Sequence, residues 1–249
     1  MAKMTKNTGA IAILGGMGPE ASARMLEVMV SMAAKEFGAK NGVDFPEIIV
    51  DSVPVPDFIS SKKNLIFAKD MLVQRVKRLN KTNPSCFAIA CNTAHVLLDD
   101  LQKQTNTPFV SIIDEVVKAV KQTGFRKVGV LATPVAIKSG LFQKALSREN
   151  IEAILPKNDD RNTIEKIIRK VIAGKVGKKE KRRLIQISSE LKKRGAEGVI
   201  LGCTELPLIS TKKSQLPAFD SIEILSRALL VRFFSGKNLK GVKKYDRNG

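Results

Sequence analysis

Tryptophan is absent from this 249-residue chain, and it holds one tyrosine and one histidine. Single-strand nucleic-acid binders interleave aromatic residues with their cations. Here the sole tyrosine is Tyr245, in the basic C-terminal tail. One histidine and three cysteines match no zinc-site spacing and cannot build a disulfide framework. No metal site is expected, and free thiols in a reducing cytoplasm are. No apolar run approaches the roughly 18 residues of a membrane span. No Gly-Lys-Ser/Thr follows the glycines near the N-terminus, which excludes a P-loop.

Acidic residues are also scarce: 24 Asp and Glu stand against 43 Lys and Arg, a formal net charge of +19. The densest basic stretch runs over residues 175–183, and the tail adds Lys237, Lys240, Lys243, Lys244 and Arg247. With no helix-turn-helix or zinc-finger spacing, this reads as a solvated lysine-rich surface, and nucleic acid is not the expected partner. Attraction of anionic substrates is compatible with it.

Apolar residues make up 43% of the chain, enough for one large or two compact domains with real cores. Lys3 and Lys6, then an apolar stretch and Ala21-Ser22-Ala23, mimic a secretory leader. The stretch contains Gly15 and Gly16 and runs into Gly18-Pro19-Glu20, which fits a first buried strand better.

Short apolar runs alternate with longer amphipathic stretches. Strands are predicted at 11–14, 47–51 and 86–90, and helices at 20–37 and 64–79. The second of these helices would carry Ile66, Met71, Leu72, Val76 and Leu79 on its apolar side. The plan then repeats: strands at 127–131, 151–155 and, last, 198–202, with a helix over 181–194 and another from 220 to about 234. Strands spaced by helical lengths imply βαβ units and parallel sheets. The expected fold is α/β, two similar three-layer subdomains with the active site at their interface. Their boundary falls near 111–124, dividing 1–114 from 115–219, with the C-terminal segment 220–249 packing back on the first.

The repeat includes the chemistry. The third strand of the first half ends in Ala90-Cys91-Asn92-Thr93, and its counterpart ends in Gly202-Cys203-Thr204-Glu205. Open parallel sheets place their sites at the carboxyl ends of strands. Two facing units would therefore bring two thiols to one cleft. There, backbone N–H groups and a helix dipole would favour thiolate. One thiolate and one thiol on opposite faces of a substrate suit proton removal and return at carbon, with inversion. Cys86, at the start of an apolar strand, reads as a buried hydrophobe. His95, four residues after Cys91, could pair with it as in a thiol hydrolase, orient it, or serve structure alone.

Gly16-Met17-Gly18-Pro19-Glu20-Ala21 fits the G-x-G-x-x-A turn of dinucleotide enzymes. Its acidic partner would be Asp51, about 30 residues on where roughly 20 is usual.

Three segments occur together in order: Gly15-Gly16-Met17-Gly18-Pro19-Glu20-Ala21-Ser22, Cys91-Asn92-Thr93-Ala94-His95 and Gly202-Cys203-Thr204-Glu205. With them the chain resembles the cofactor-independent aspartate/glutamate racemase superfamily, on its aspartate racemase branch, over about residues 11–229. Leu131-Ala132-Thr133 and Arg194-Gly195-Ala196-Glu197 are similar to the family too. The resemblance implies a racemase with no pyridoxal phosphate or other cofactor, Cys91 and Cys203 as paired acid and base, and aspartate as first candidate substrate. It implies substrate-binding roles for Met17, Asn92, Thr93, Thr133 and Thr204, auxiliary ones for His95 and Glu205, and a homodimer. Aspartate-specific relatives carry Pro-Asp-Arg after the second strand, whose Arg grips the side-chain carboxylate. Here the segment is Pro56-Asp57-Phe58, and Phe offers neither charge nor donor. Lys178 is the nearest match to a second basic clamp residue, with Lys175 or Lys179 as alternatives, and Lys62 or Lys63 could replace the missing charge. Phe58 is thus the expected specificity position, and a broader or less polar substrate is the alternative to aspartate.

Overall fold

A computed structural model describes residues 9–58, 62–209 and 215–235. The first half runs β1 (Ile11–Gly15), α1 (Pro19–Phe37), β2 (Ile48–Ser52), α2 (Lys62–Asn80), β3 (Cys86–Ile89), α3 (Leu98–Gln102), β4 (Phe109–Val110) and α4 (Ile112–Thr123). The second runs β5 (Lys127–Ala132), α5 (Pro134–Ser139), α6 (Leu141–Ser147), β6 (Glu152–Ile154), α7 (Asn158–Ile172), α8 (Lys178–Lys193), β7 (Gly198–Gly202) and β8 (Ala218–Asp220), and α9 (Ser221–Phe234) closes the described chain.

Each half forms one four-stranded sheet, in the orders β2-β1-β3-β4 and β6-β5-β7-β8. All pairings are parallel, so the two sheets repeat one topology. Strand sequences are nearly continuously apolar because both faces of each sheet are covered. Ile11 and Ile13 of β1 point into one core while Ala12 and Leu14 point into another. In the second sheet Val128 and Val130 face the shared core, and Val199 and Leu201 face the opposite side. The shared core also takes in residues of α1, α4, α6 and α9, so a helical layer lies between the sheets. α2 covers the far face of the first sheet, and α7 and α8 that of the second.

α9 is apolar nearly all round, as a helix packed on several sides must be. It lies on both α1 and α4, buries Ile222, Leu225, Leu229 and Leu230, and its start is pinned by Arg24 of α1, which pairs with Asp220 at 2.7 Å and Glu223 at 3.1 Å. The expected boundary at 111–124 is occupied by α4, whose buried face belongs to the shared core.

The structure corrects two expectations and adds one strand. Strand 198–202 is not last, since β8 follows it, and β4 was not foreseen. Two and three residues are too short to show a periodicity. Ile66 is not on the buried side of α2; it is 62% exposed, and Ala68, Leu72, Val76 and Leu79 make the packed face. The basic tail beyond residue 235 and the side chain of Lys62 lie outside the described residues. No described helix is long and apolar enough to cross a membrane.

Leu72 and Ile66 report this face directly. Leu72→Ala should destabilise by about 2–5 kcal/mol, whereas Ile66→Ala should stay within about 0.5 kcal/mol. Urea denaturation of the two variants beside the parent measures both.

Candidate active site

The site begins at the glycine turn between β1 and α1. Gly16 takes φ +87°, and a Cβ there would stand 2.4 Å from the Val53 amide nitrogen and 2.5 Å from its carbonyl oxygen. Only glycine lets this turn lie against the chain leaving β2. Ser22 locks the turn, accepting from the Gly16 amide at 2.9 Å and donating to the Gly18 carbonyl at 3.1 Å. The Gly18 amide, at the start of α1, donates to Glu205 Oε1 at 2.9 Å. A carboxylate from the second half thus occupies the anion position that a dinucleotide phosphate would need. Asp51 is paired with Arg78 at 2.6 Å. The nicotinamide alternative loses both its residues.

Cys91 and Cys203 follow the carboxyl ends of β3 and β7, the central-strand neighbours of β1 and β5. They line a single cleft between the halves, about 240 Å³ in volume, together with the turn residues Gly16, Met17 and Gly18, the segment Val55 to Phe58, and Thr93, Thr133, Arg169, Ile172 and Glu205. Thr93 and Thr133 meet across it, hydroxyl to hydroxyl at 2.8 Å. Thr133 also caps α5, accepting from the Ala136 amide at 3.3 Å. At the mouth Asp57 of the first half is bonded to Arg169 of α7 in the second.

Several expected residues lie elsewhere. Asn92 is buried behind the cleft, donating to Ser221 Oγ at 2.9 Å, with its Oδ1 buried and unmatched. Thr204 donates to Glu205 Oε2 at 3.1 Å and does not line the cleft. Lys178 is exposed at the first turn of α8, and neither it nor Lys63, Lys175 or Lys179 lines the cleft. The cation there is Arg169, which sequence reading missed. It sits at i+4 from Glu165 on an ordinary amphipathic helix, and nothing local distinguishes it from a surface arginine.

His95 is 5% exposed. Its Nδ1 donates to the Cys91 carbonyl at 2.8 Å and its Nε2 accepts the Ile112 amide at 3.1 Å. A carbonyl can only accept and an amide can only donate, so the ring is the neutral Nδ1–H tautomer. Both nitrogens are spent on backbone. His95 is therefore a positioning residue that fixes the Cys91 main chain and the start of α4, and the Cys–His nucleophile reading is not supported. Burial lowers its pKa to about 4, with the Cys91 hydrogen bond opposing.

Electrostatics reverse one expectation. Burial first, and the Glu205 charge second, push Cys91 up to about 12, against amide hydrogen bonds from Ala94 and Thr93 that favour thiolate. The same two causes raise Cys203 well above the ordinary thiol range, reinforced by its own hydrogen bond from Sγ to Glu205 Oε2 at 2.9 Å. In this state both groups are thiols, because desolvation outweighs a few amide dipoles. Among the described residues no cluster of three His, Cys, Asp or Glu is arranged to hold a metal ion.

The profile of the Asp/Glu/hydantoin racemase family matches residues 14–229. The chain belongs to this family. It is 26% identical to the broad specificity amino-acid racemase RacX of Bacillus subtilis, over 90% of this chain and 98% of that one. An aspartate racemase homologue from Pyrococcus horikoshii superimposes with a TM-score of 0.76 at 30% identity, over 90% of this chain and 99% of that one. Picrophilus torridus aspartate racemase gives 0.74 at 27%, over 93% and 96%. Membership makes this an enzyme of the racemase class whose chemistry runs without pyridoxal phosphate.

His95 is the only histidine, so its titration can be isolated. With the folded pKa about 4 against 6.5 unfolded, the unfolded chain binds the proton first. Stability should then fall as pH drops from about 6.5 to about 4, by on the order of 3 kcal/mol. Chemical denaturation across that window should show a steeper loss for the parent than for His95→Gln. Parallel curves would contradict the assignment.

Proposed function

We propose that the protein racemises amino acids by proton transfer between Cys91 and Cys203 on opposite faces of the α-carbon. The observation that carries this is the acid–base inventory of the cleft. Two thiols from equivalent strand ends share one buried carboxylate, Glu205, hydrogen-bonded to Cys203. A two-base racemase needs one base and one acid of the same kind, and here three groups hold one negative charge among them.

Glu205 Oε2 takes the Cys203 proton, moving the charge from carboxylate to sulfur without changing the net charge of the buried site. An arriving substrate ammonium compensates that charge and favours the thiolate. Cys203 thiolate removes the α-proton from one face, and Cys91 gives its own to the other. Cys203 ends as thiol and Cys91 as thiolate, where the Thr93 and Ala94 amides stabilise it. Proton return between Glu205 and the sulfurs restores the start. The Thr93 and Thr133 hydroxyls, already paired across the cleft, receive the substrate carboxylate. As the α-carbon loses its proton, negative charge spreads into that carboxylate, and fixed hydroxyl donors stabilise it.

The side-chain end of the cleft argues against strict aspartate specificity. Phe58 lines it and is 4% exposed, beside Val55, Pro56, Met17 and Ile172. Apolar walls of this kind suit longer or less polar side chains. The broad specificity of the Bacillus subtilis relative is consistent with that.

The test is Cα deuteration in D2O, with no added cofactor, over a panel of L- and D-amino acids. Exchange is expected for several. Cys91→Ser and Cys203→Ser should each lower racemisation by at least about 100-fold, as loss of a general acid or base does. Each should keep some exchange from the enantiomer whose proton its remaining thiol faces. Glu205→Gln should depress most the direction that Cys203 initiates. Near-parent rates in both cysteine variants would refute the mechanism.

A further inference from the structure

Asn92 follows Cys91 directly, yet it does not line the cleft. Its side chain is buried, with Nδ2 donating to Ser221 Oγ at 2.9 Å and Oδ1 unmatched. A buried amide with one end unmatched costs stability, so packing alone gives no reason for Asn here. Ser221 opens α9, is fully buried, and donates in turn to the Leu201 carbonyl of β7 at 3.1 Å. A carbonyl only accepts, so the one hydroxyl proton goes to Leu201 and the oxygen accepts from Asn92. Ser221 thereby fixes which end of the Asn92 amide faces it.

On the racemase reading of the cleft, we infer that Ser221 is a positioning residue for the reaction. Its hydroxyl holds the turn after Cys91 against the strand leading to Cys203, and it acts on the chemistry through Asn92. Leu201 stands two residues before Cys203, and Asn92 one after Cys91. The chain Asn92–Ser221–Leu201 thus joins the two thiol-bearing segments by two hydrogen bonds.

The anchor itself is fixed. β8 pairs with β7 as far as Asp220, opposite Leu201. Asp220 caps α9, accepting the Ile222 and Glu223 amides at 2.9 and 3.2 Å, and is held by Arg24 of α1. At the other end Asn92 begins the turn that serves Cys91. Its backbone is helical, with φ −64° and ψ −45°, and its carbonyl accepts the His95 amide at 3.1 Å. The next two amides along the chain, of Thr93 and Ala94, are those that favour thiolate at Cys91. Tethering the side chain at 92 restrains the peptide units that carry them. A misplacement of about 1 Å at a reacting group can cost about 100-fold in rate, which gives such a tether its value.

The test is a double-mutant cycle on kcat, normalised to the folded fraction by circular dichroism. Ser221→Ala should lower kcat about tenfold, the scale of one hydrogen bond, with KM within about twofold of the parent. In an Asn92→Ala background the same change should cost less than about twofold, because the partner through which Ser221 acts is gone. Equal losses in both backgrounds, or a kcat indifferent to Ser221→Ala, overturn the assignment, since the hydroxyl would then serve the fold alone. A second measurement is solvent exchange of the Asn92 side-chain amide, assigned through its backbone by NMR. Exchange should be slow in the parent and at least about tenfold faster in Ser221→Ala. Ser221→Cys, of similar size with a poor donor and acceptor, replaces it should the alanine variant not fold. Equal exchange in parent and variant refutes the link. If no amino acid is turned over, the racemase reading fails, while amide exchange still decides whether Ser221 holds Asn92.

Discussion

The buried Glu205 carboxylate is the constraint on which the site depends. It is 3% exposed, and its oxygens are met by the Gly18 amide, the Thr204 hydroxyl and the Cys203 thiol. A carboxylate so placed is tolerable only because donors surround it. Those donors come from both halves of the chain, so satisfying one charge fixes the first turn of one unit against the segment that follows β7 of the other. The same charge raises both thiols. One residue thus joins the halves, adds to the burial that raises both thiols and accepts the hydrogen bond of one of them.

Repetition of a topology does not give two equal cysteines. Cys91 is followed by a tight 3-10 turn, Thr93–Leu97, whose amides point at the sulfur and stabilise negative charge there. Cys203 is followed by Thr204 and Glu205, and its sulfur donates to a carboxylate instead. In the proposed mechanism the negative charge is therefore held by amides on one side and generated by a neighbouring base on the other. A reversible reaction can use that asymmetry, because each direction begins at a differently equipped thiol. His95 belongs to the first side only, where it ties the Cys91 carbonyl to the amide that opens α4.

The long elements were legible because their periodicities are long. α1, α2 and α8 carry repeated apolar faces, and β1, β3, β5 and β7 are apolar runs closed by glycine or small polar residues. The pairing of Cys91 with Cys203 was legible because each ends the same strand of a repeated unit. What stayed hidden depends on contacts between distant segments. β4 and β8 have two and three residues and exist as strands only because β3 and β7 offer them an edge. Asn92 and Thr204 adjoin the cysteines in sequence, yet their side chains turn to Ser221 and Glu205. Arg169 has no motif around it and gains meaning only when α7 crosses the mouth beside Asp57. Lys178 looked nearer in sequence but sits past the end of that helix. Expected preference for thiolate failed for an energetic reason, since a residue string displays nearby dipoles but not the loss of water.

The +19 charge and the cleft pull in opposite senses. Cations spread over α8 and the surface create a field that favours anions at a distance. That field is screened within about 8 Å at physiological ionic strength, and the exposed lysines that make it are hydrated. Inside the cleft only contact partners count, and there, among the described residues, two carboxylates stand with one guanidinium that is already bonded. Surface charge therefore governs how ions approach the molecule and says little about which side chain is held at the thiols. The sign of the protein and the sign of its site are separate quantities, because a desolvated carboxylate a few ångströms away outweighs many solvated lysines beyond the screening length.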